Sequence, residues 1–140
     1  MPGYRTVDTQ TTFIGWGKLG QQVELEVLTF DPQGGTTPNG KKVARVVGTL
    51  VDDCDNYTHL SEDRQQVRLK TGAQVTVDGS VDNLNRGLLL AEPERGDKLR
   101  LTYVDTYPTD KGNKGKVIKI EQDTSGRGKA AKKTVTEDDL

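Results

Sequence analysis

This chain has few of the residues on which catalytic, metal and disulfide chemistry depend. Its 140 residues include one cysteine and one histidine, which excludes an internal disulfide, a cysteine-rich zinc site and a multi-histidine metal site. Cys54 lies between Asp53 and Asp55, whose negative charges disfavour the nucleophilic thiolate. The sequence contains no Walker loop, GxSxG elbow or HExxH motif. We therefore expect a protein without catalytic activity and without a metal or other cofactor.

Long apolar stretches are also missing. No run of about 18 apolar residues is present, so we expect no membrane-spanning segment. The first residues, MPGYRTVDTQ, lack the basic and then apolar pattern of a secretion signal, and we expect a cytoplasmic protein. The hydrophobic content of 31% and the mean hydropathy of -0.71 are low for a globular chain. Both values are expected if long polar loops and a polar tail accompany a hydrophobic core of ordinary size.

Net charge is scarce, but the charges are segregated along the chain. The formal net charge is -1 and the pI is about 5.8, which argues against a strongly basic protein that binds duplex DNA. Lysines concentrate at 41–42, 111–119 and 129–133, whereas acids concentrate at 52–55, 92–97 and 137–139. A nearly neutral protein with a local basic surface can still attract a polyanion.

What the sequence does contain is a pattern of short strands. Sixteen glycines, many β-branched residues and no apolar helical stripe predict an all-β class. In the strand predicted at 22–31, Val23, Leu25 and Val27 alternate with polar residues. Leu28 and Phe30 then occupy the opposite face, which predicts a bulge or strong coiling. We expect this first strand to be long enough to serve two sheets.

The remaining segments follow from turn and strand signals. We predict a loop at 32–41, a strand at 42–52 bent at Gly48, a polar turn at 53–63, strands at 65–70 and 73–78, a short helical segment at 80–92 with Ser80 as its N-cap, and a closing hairpin of 97–106 with 115–121. This order predicts a five-stranded Greek-key barrel of the OB type with an extra small hairpin. The predicted boundaries are a loose segment at 1–12, the barrel domain at 13–122 and a disordered tail with an acidic tip at 123–140.

Residues 96–121, GDKLRLTYVDTYPTDKGNKGKVIKIE, resemble the closing hairpin of small phage and actinobacterial OB-fold single-stranded DNA-binding proteins. The matching residues are Gly96, Asp97, Tyr103, Thr109, Lys111, Gly112 and a lysine at 114 or 116. The segment TFIGWGKLGQQVELEVLTFDPQGGT is similar to the first strand and loop of the same group. The tail is similar to the acidic tails of bacterial and phage relatives, although those end in Pro-Phe; here the tip is Glu137, Asp138, Asp139 and Leu140.

The resemblance and the predicted barrel together select candidate binding residues. The loops at 32–41 and 107–115 are those with which OB-folds clasp oligonucleotides. We expect phosphates to be contacted by six lysines: Lys18, Lys41, Lys42, Lys111, Lys114 and Lys116. Tyr107 is the best candidate for base stacking. Trp16 and Phe30 are candidates either for stacking or for the core. Arg45, Arg68 and Lys70 either form a basic stripe or pair with Glu24 and Glu26.

The predicted function is sequence-independent binding of single-stranded DNA in phage replication or recombination. The acidic tip is expected to recruit replication or recombination proteins and to compete with DNA for the basic loops. One alternative is a protein-interaction module with the same barrel and no DNA role, which the acidic pI favours. Another is a non-catalytic accessory subunit of a nuclease. An exposed strand edge also allows a homo-oligomer.

Overall fold

The chain is mostly β with one helix, in agreement with the predicted class. A computed structural model describes residues 12–60, 63–109 and 114–127. Its elements are β1 (Thr12–Phe13), β2 (Gln22–Thr36), β3 (Lys42–Leu50), β4 (Cys54–Leu60), β5 (Asp63–Leu69), β6 (Gln74–Asp78), α1 (Asp82–Ala91), β7 (Lys98–Pro108) and β8 (Lys114–Asp123). In the part of the chain that these ranges cover, no helix has the length and apolar character needed to cross a membrane.

The strands form one large sheet and one small one. The large sheet has the order β1-β6-β3-β2-β7-β8, and β4 pairs with β5 in a separate hairpin. Its neighbours are antiparallel except β1 and β6, which are parallel. The large sheet is therefore mixed. Among the described strands β1 and β8 are its two edges and do not pair with each other, so the sheet is not closed. The closed barrel that we predicted is therefore not observed as such.

β2 occupies the middle of the large sheet and pairs only with strands of that sheet among the described strands, whereas we predicted that it serves two sheets. Residues 25–36 pair with β3, and residues 22–26 pair with β7. The register with β3 shifts between Val27 and Thr29, which confirms the predicted bulge, and again between Asp31 and Gly35. β2 then continues to Thr36, so the predicted start of the loop at residue 32 is wrong. The two shifts let this strand bend while it keeps its ladder.

The segment predicted as a polar turn at 53–63 is instead a strand and the start of its partner. β4 alternates inward and outward residues as a strand should, with Cys54 and Asn56 buried and Asp55 and Tyr57 half-buried. The prediction failed because one inward residue, Asn56, is polar and carried no apolar signal. The extra hairpin exists, but β4 and β5 build it.

The helix and the closing hairpin lie where they were predicted, with one correction. α1 begins after Val81, which makes no side-chain capping bond, so the prediction of Ser80 as the N-cap is wrong. The helix ends at Glu92, which adopts a left-handed conformation with φ of 46°. The closing hairpin of β7 and β8 is confirmed and extends further at both ends than predicted.

The core lies between α1 and the inner face of the coiled sheet. Leu84 and Leu88 of α1 are fully buried, as are the alternating residues of β2 that predicted a buried face. The other buried apolar side chains of the described residues are Trp16, Val43, Ala44, Val46, Leu50, Cys54, Val75, Val77, Leu99, Leu101, Tyr103 and Ile118. Phe30 is partly buried against this cluster, opposite Val46.

Two buried amides hold the Gly15-Trp16-Gly17 segment in place. The Asn56 side chain accepts a hydrogen bond from the Gly15 amide at 2.8 Å and donates to the carbonyl of the preceding strand β1 at 3.1 Å. The Gln21 side chain donates to the Gly15 carbonyl at 2.7 Å and accepts from the Gly17 amide at 2.8 Å. A side chain at Gly15 would collide with the Tyr57 carbonyl. The glycines therefore allow a close approach between this segment and β4.

The same segment spans the gap between the two ends of the sheet. The Ile14 amide donates to the Thr76 carbonyl of β6 at 2.9 Å. The Trp16 carbonyl accepts a bond from the Lys116 amine of β8 at 2.8 Å. Trp16 itself is 4% exposed and belongs to the core. Residues 12–17 thus link β6 to β8, although those two strands do not pair with each other.

The domain also reaches further toward the C-terminus than the predicted boundary at residue 122. Asp97 is fully buried and receives bonds from the Arg127 guanidinium at 2.6 and 2.9 Å and from the Gln122 amide at 3.0 Å. Gly126 lies directly against the Gly96 carbonyl, where a side chain would collide. Residues 123–127 therefore belong to the folded domain rather than to the tail.

Replacing Gly48 with alanine is expected to destabilise the fold. A Cβ at this position would lie 2.5 Å from the Glu26 carbonyl oxygen and would also collide with the Leu25 side chain. Overpacking of this kind costs about 1–3 kcal/mol, measurable as a lower midpoint in urea unfolding. Thr49→Ala on the neighbouring, half-exposed position is the control and is expected to change the midpoint less. Equal stability of Gly48→Ala and the parent would contradict the close approach.

Asp97→Asn is expected to lower stability most at neutral pH. Burial opposes ionisation of Asp97, but bonds from Arg127, the Glu94 amide and Gln122 outweigh it, so the pKa of this carboxyl lies below its usual value. A depressed folded-state pKa contributes stability above the unfolded value of about 3.9, and this contribution is lost as the pH falls through the lower folded pKa. In the variant, Arg127 and Gln122 lose their charged acceptor, which lowers the free energy of unfolding by about 1–3 kcal/mol.

The measurement for Asp97 is thermal unfolding of parent and variant at pH 7 and near pH 3. The difference in Tm is expected to shrink in acid. The exposed Asp52→Asn exchange makes the same chemical change without the buried cluster and serves as the control. A Tm difference that stays constant across this range would show that the Asp97 charge contributes nothing.

Candidate nucleic-acid interface

The two loops proposed to grip an oligonucleotide lie at the same end of the sheet and flank the first turn of α1. On one side, Thr37 closes the tight β2–β3 turn through two hydrogen bonds to Lys41. The Thr37 amide donates to the Lys41 carbonyl at 2.8 Å, and the Lys41 amide donates to the Thr37 hydroxyl at 3.0 Å. The Lys41 amine lies 4.0 Å from the Asp82 carboxylate. On the other side, Tyr107 and Lys116 line a cleft together with Ser80 and Asp82. Asp82 therefore stands between both loops.

Tyr107 is the exposed aromatic of this end of the sheet. It lies near the end of β7, directly opposite Gly115 of β8 in the register, and is 40% exposed. A Cβ added at Gly115 would lie 2.6 Å from two of the tyrosine ring carbons, Cε1 and Cε2. One face of the ring therefore rests on the glycine backbone, and the tyrosine is one of the residues that line the cleft. Such a ring is suited to stack on a planar base.

The lysines predicted to contact phosphate have different surroundings. Lys18, Lys41 and Lys42 are exposed, and the Lys42 amine donates to the Thr36 hydroxyl at 3.3 Å. Lys116 is half-buried because its amine is bonded to the Trp16 carbonyl. Lys111 lies outside the described residues, as does the side chain of Lys114, the first residue of β8.

The three cations on the strands are paired with aspartates, not with Glu24 and Glu26 as one prediction held. Arg45 makes a two-pronged contact with Asp78 at 2.7 and 2.9 Å and also covers the Phe13 ring at 5.2 Å. Arg68 contacts Asp55 at 2.9 Å. The third pair joins Lys70 to Asp53 at 3.6 Å. Local neutralisation of this kind argues against a continuous basic stripe.

The aromatic candidates divide between surface and core. Trp16 and Tyr103 are buried, and Phe30 packs against the core from a partly buried position. Their rings serve the fold, so the prediction of Trp16 and Phe30 as stacking platforms is not supported by their placement. Only Tyr107 among these combines exposure with a basic loop. No sequence signal distinguished Gly115 as the residue that supports its ring, because the turn is rich in glycine.

Cys54 is not a reactive thiol. Burial raises the pKa of its thiol, and Asp55 and Asp53 raise it further against the opposing charge of Arg68. The sequence predicted the contribution of the aspartates, but not that burial is the larger cause. The thiol occupies the base of the small hairpin as part of the core.

The acidic tip of the tail, Glu137 to Leu140, lies outside the described residues. What the structure does place is the root of the tail. Arg127 is fixed to Asp97 beside the start of β7, whereas Tyr107 lies near the end of that strand. The tail therefore leaves the domain at the end of the sheet opposite to the candidate interface.

Comparison with known proteins identifies no relative of this chain: no family model matches it, and no match was found among curated proteins or solved structures. Its function is therefore inferred from its own residues and their arrangement.

Proposed function

We propose that this chain is a non-enzymatic, OB-type protein that binds single-stranded DNA without sequence-specific readout of a motif. The observation that carries the proposal is the exposed ring of Tyr107, supported by Gly115, between two lysine-bearing loops at one end of the sheet. Stacking on an exposed aromatic contributes about 1–3 kcal/mol per base. Cations beside the ring add attraction for the phosphates without reading the bases.

The order of strands supports the OB-type part of the proposal. Without β1 and the small hairpin, the sheet runs β6-β3-β2-β7-β8, with the long first strand in the centre and the helix inserted between the third and fourth strands. A five-stranded, partly open Greek-key barrel is the architecture that presents its first and last turns to an oligonucleotide. Residues 12–17 fill the position where β6 and β8 would meet in a closed barrel.

The proposal also assigns the tail to recruitment of replication or recombination proteins rather than to competition with DNA. Arg127 and Glu137 are ten positions apart, and an extended chain of that length spans at most about 33–36 Å. The ten residues of β7 from Lys98 to Tyr107 span about 33 Å. The acidic tip thus reaches the basic loops only when it is almost fully extended, which disfavours strong competition.

The second candidate function is a protein-interaction module without a DNA role. Leu90 of α1 is 80% exposed and the adjacent Leu89 is 40% exposed, so the helix presents apolar surface to solvent. Arg45, Arg68 and Lys70 are each matched by an aspartate, which removes part of the positive field that a nucleic acid needs. This candidate predicts no binding of single-stranded DNA even at low salt.

Binding of a labelled single-stranded oligonucleotide of mixed sequence across a salt series separates the two functions. Five lysines lie in the two loops or on the strand residues next to them, and each phosphate contact contributes about 0.7 to the slope of log K against log salt. We expect a slope no steeper than about 3.5 in fluorescence anisotropy, and weaker binding to the matched duplex. No binding at low salt, or tighter binding to the duplex, would contradict the proposal.

The loop lysines are expected to contribute more than the ion-paired cations. Lys41→Ala combined with Lys42→Ala removes two exposed charges and is expected to lower the salt slope by about 1 or more and to weaken binding to every sequence. The matched control is Arg68→Ala combined with Lys70→Ala, which also removes two charges but from aspartate pairs. A larger loss of affinity in the control would show instead that the DNA runs along the small hairpin of β4 and β5.

A further inference from the structure

We infer that the cleft beside Tyr107 accepts a base that carries an exocyclic amino group, such as cytosine, in preference to a base with a keto group at that position, such as uracil or thymine. The inference rests on the proposed binding of single-stranded DNA and adds a chemical preference to it. It comes from Asp82, an acidic residue at the centre of a surface that is otherwise suited to a polyanion.

The cleft is large enough for one planar group. Its volume is about 280 Å³, and it is lined by Ser80, Val81, Asp82, Tyr107, Thr109, Gly115 and Lys116. The position of the ring is fixed because one of its faces rests on the backbone of Gly115. A base that stacks on the open face of the ring brings its edge toward the start of α1, where Ser80 and Asp82 line the same cleft.

Asp82 decides which chemical groups this position favours. An ionised carboxylate only accepts hydrogen bonds, so it attracts the amino group of cytosine and repels a keto oxygen or a phosphate. Uracil and thymine also have a donor, N3–H, but it lies between two keto oxygens that the carboxylate repels. Its side chain is 75% exposed, and its contact with the Lys41 amine is loose at 4.0 Å, so the carboxylate retains accepting capacity. The phosphates are then expected to run past the lysines of the two loops, with the base turned inward to the ring.

The size of the preference follows from the exposure of Asp82. A net hydrogen bond contributes about 0.5–1.5 kcal/mol in proteins, and solvent competes strongly at an exposed carboxylate. One such contact predicts about a three- to ten-fold preference. The preference is modest, as expected for a protein that still binds every sequence.

The test compares oligo-dC with oligo-dU of equal length, since the two bases share their size and differ only in the amino or keto group at C4 and in N3, which accepts in cytosine and donates in uracil. Affinity of the full chain is measured by fluorescence anisotropy at neutral pH and low salt. We expect oligo-dC to bind about three- to ten-fold more tightly. Asp82→Asn replaces the carboxylate with an amide that both donates and accepts, so we expect it to bring the ratio close to one and to raise the affinity for both oligomers.

Tyr107→Leu is the second variant and tests whether the preference arises at the ring. It is expected to weaken binding of oligo-dC about five-fold or more and to abolish the preference as well. Circular dichroism of both variants checks that the fold is intact. Equal affinity of the parent for oligo-dC and oligo-dU would overturn the inference while leaving the proposed function standing. A ratio that survives in either variant would also overturn it, because the base would then be read elsewhere.

Failure of the proposed function gives a different result. If neither homopolymer nor the mixed-sequence oligonucleotide binds the parent at low salt, the DNA role itself is wrong. A preference for oligo-dU in the parent would likewise contradict the inference, because the amino group of cytosine would then not be the favoured partner of the cleft.

Discussion

At Gly48 the backbone of β3 lies against the Glu26 carbonyl and the Leu25 side chain of β2, and this close approach lets β2 coil. A straight strand cannot pair with β3 along one half and with β7 along the other while keeping its apolar residues in one core. The bulge after Val27 provides the turn, and the glycine removes the side chain that would prevent it. The shared end of the sheet, where both lysine-bearing loops meet α1, depends on this coil.

Buried polar groups fix the segments that strand pairing alone leaves loose. Asn56 and Gln21 satisfy the backbone of the Gly15-Trp16-Gly17 segment, and Asp97 holds the segment that ends at Arg127. A buried polar group is costly unless it is fully hydrogen-bonded, so satisfied groups of this kind specify one arrangement. Together they link the two ends of the open sheet and set the place where the tail leaves the domain.

Electrostatics divides the basic residues into two groups. Arg45, Arg68 and Lys70 are each paired with an aspartate, whereas Lys41 and Lys42, between β2 and β3 and at the start of β3, remain exposed. Exposed cations therefore remain at the loop end of the sheet although the whole chain has a net charge of -1. The proposed binding of single-stranded DNA needs a local basic surface of this kind.

The sequence by itself determined the mostly β class, the coiled first strand, the closing hairpin and the exposure of Tyr107, because alternation and turn residues act over a few neighbours. It did not predict β4, since its inward Asn56 is polar, and it placed the start of the tail too early, since Arg127 finds its partner thirty residues away. Only the tertiary structure paired Arg45 with Asp78, buried Trp16 and brought Asp82 between the two loops. Those contacts depend on which segments, distant in sequence, become neighbours in the fold. The residues around each position do not determine that.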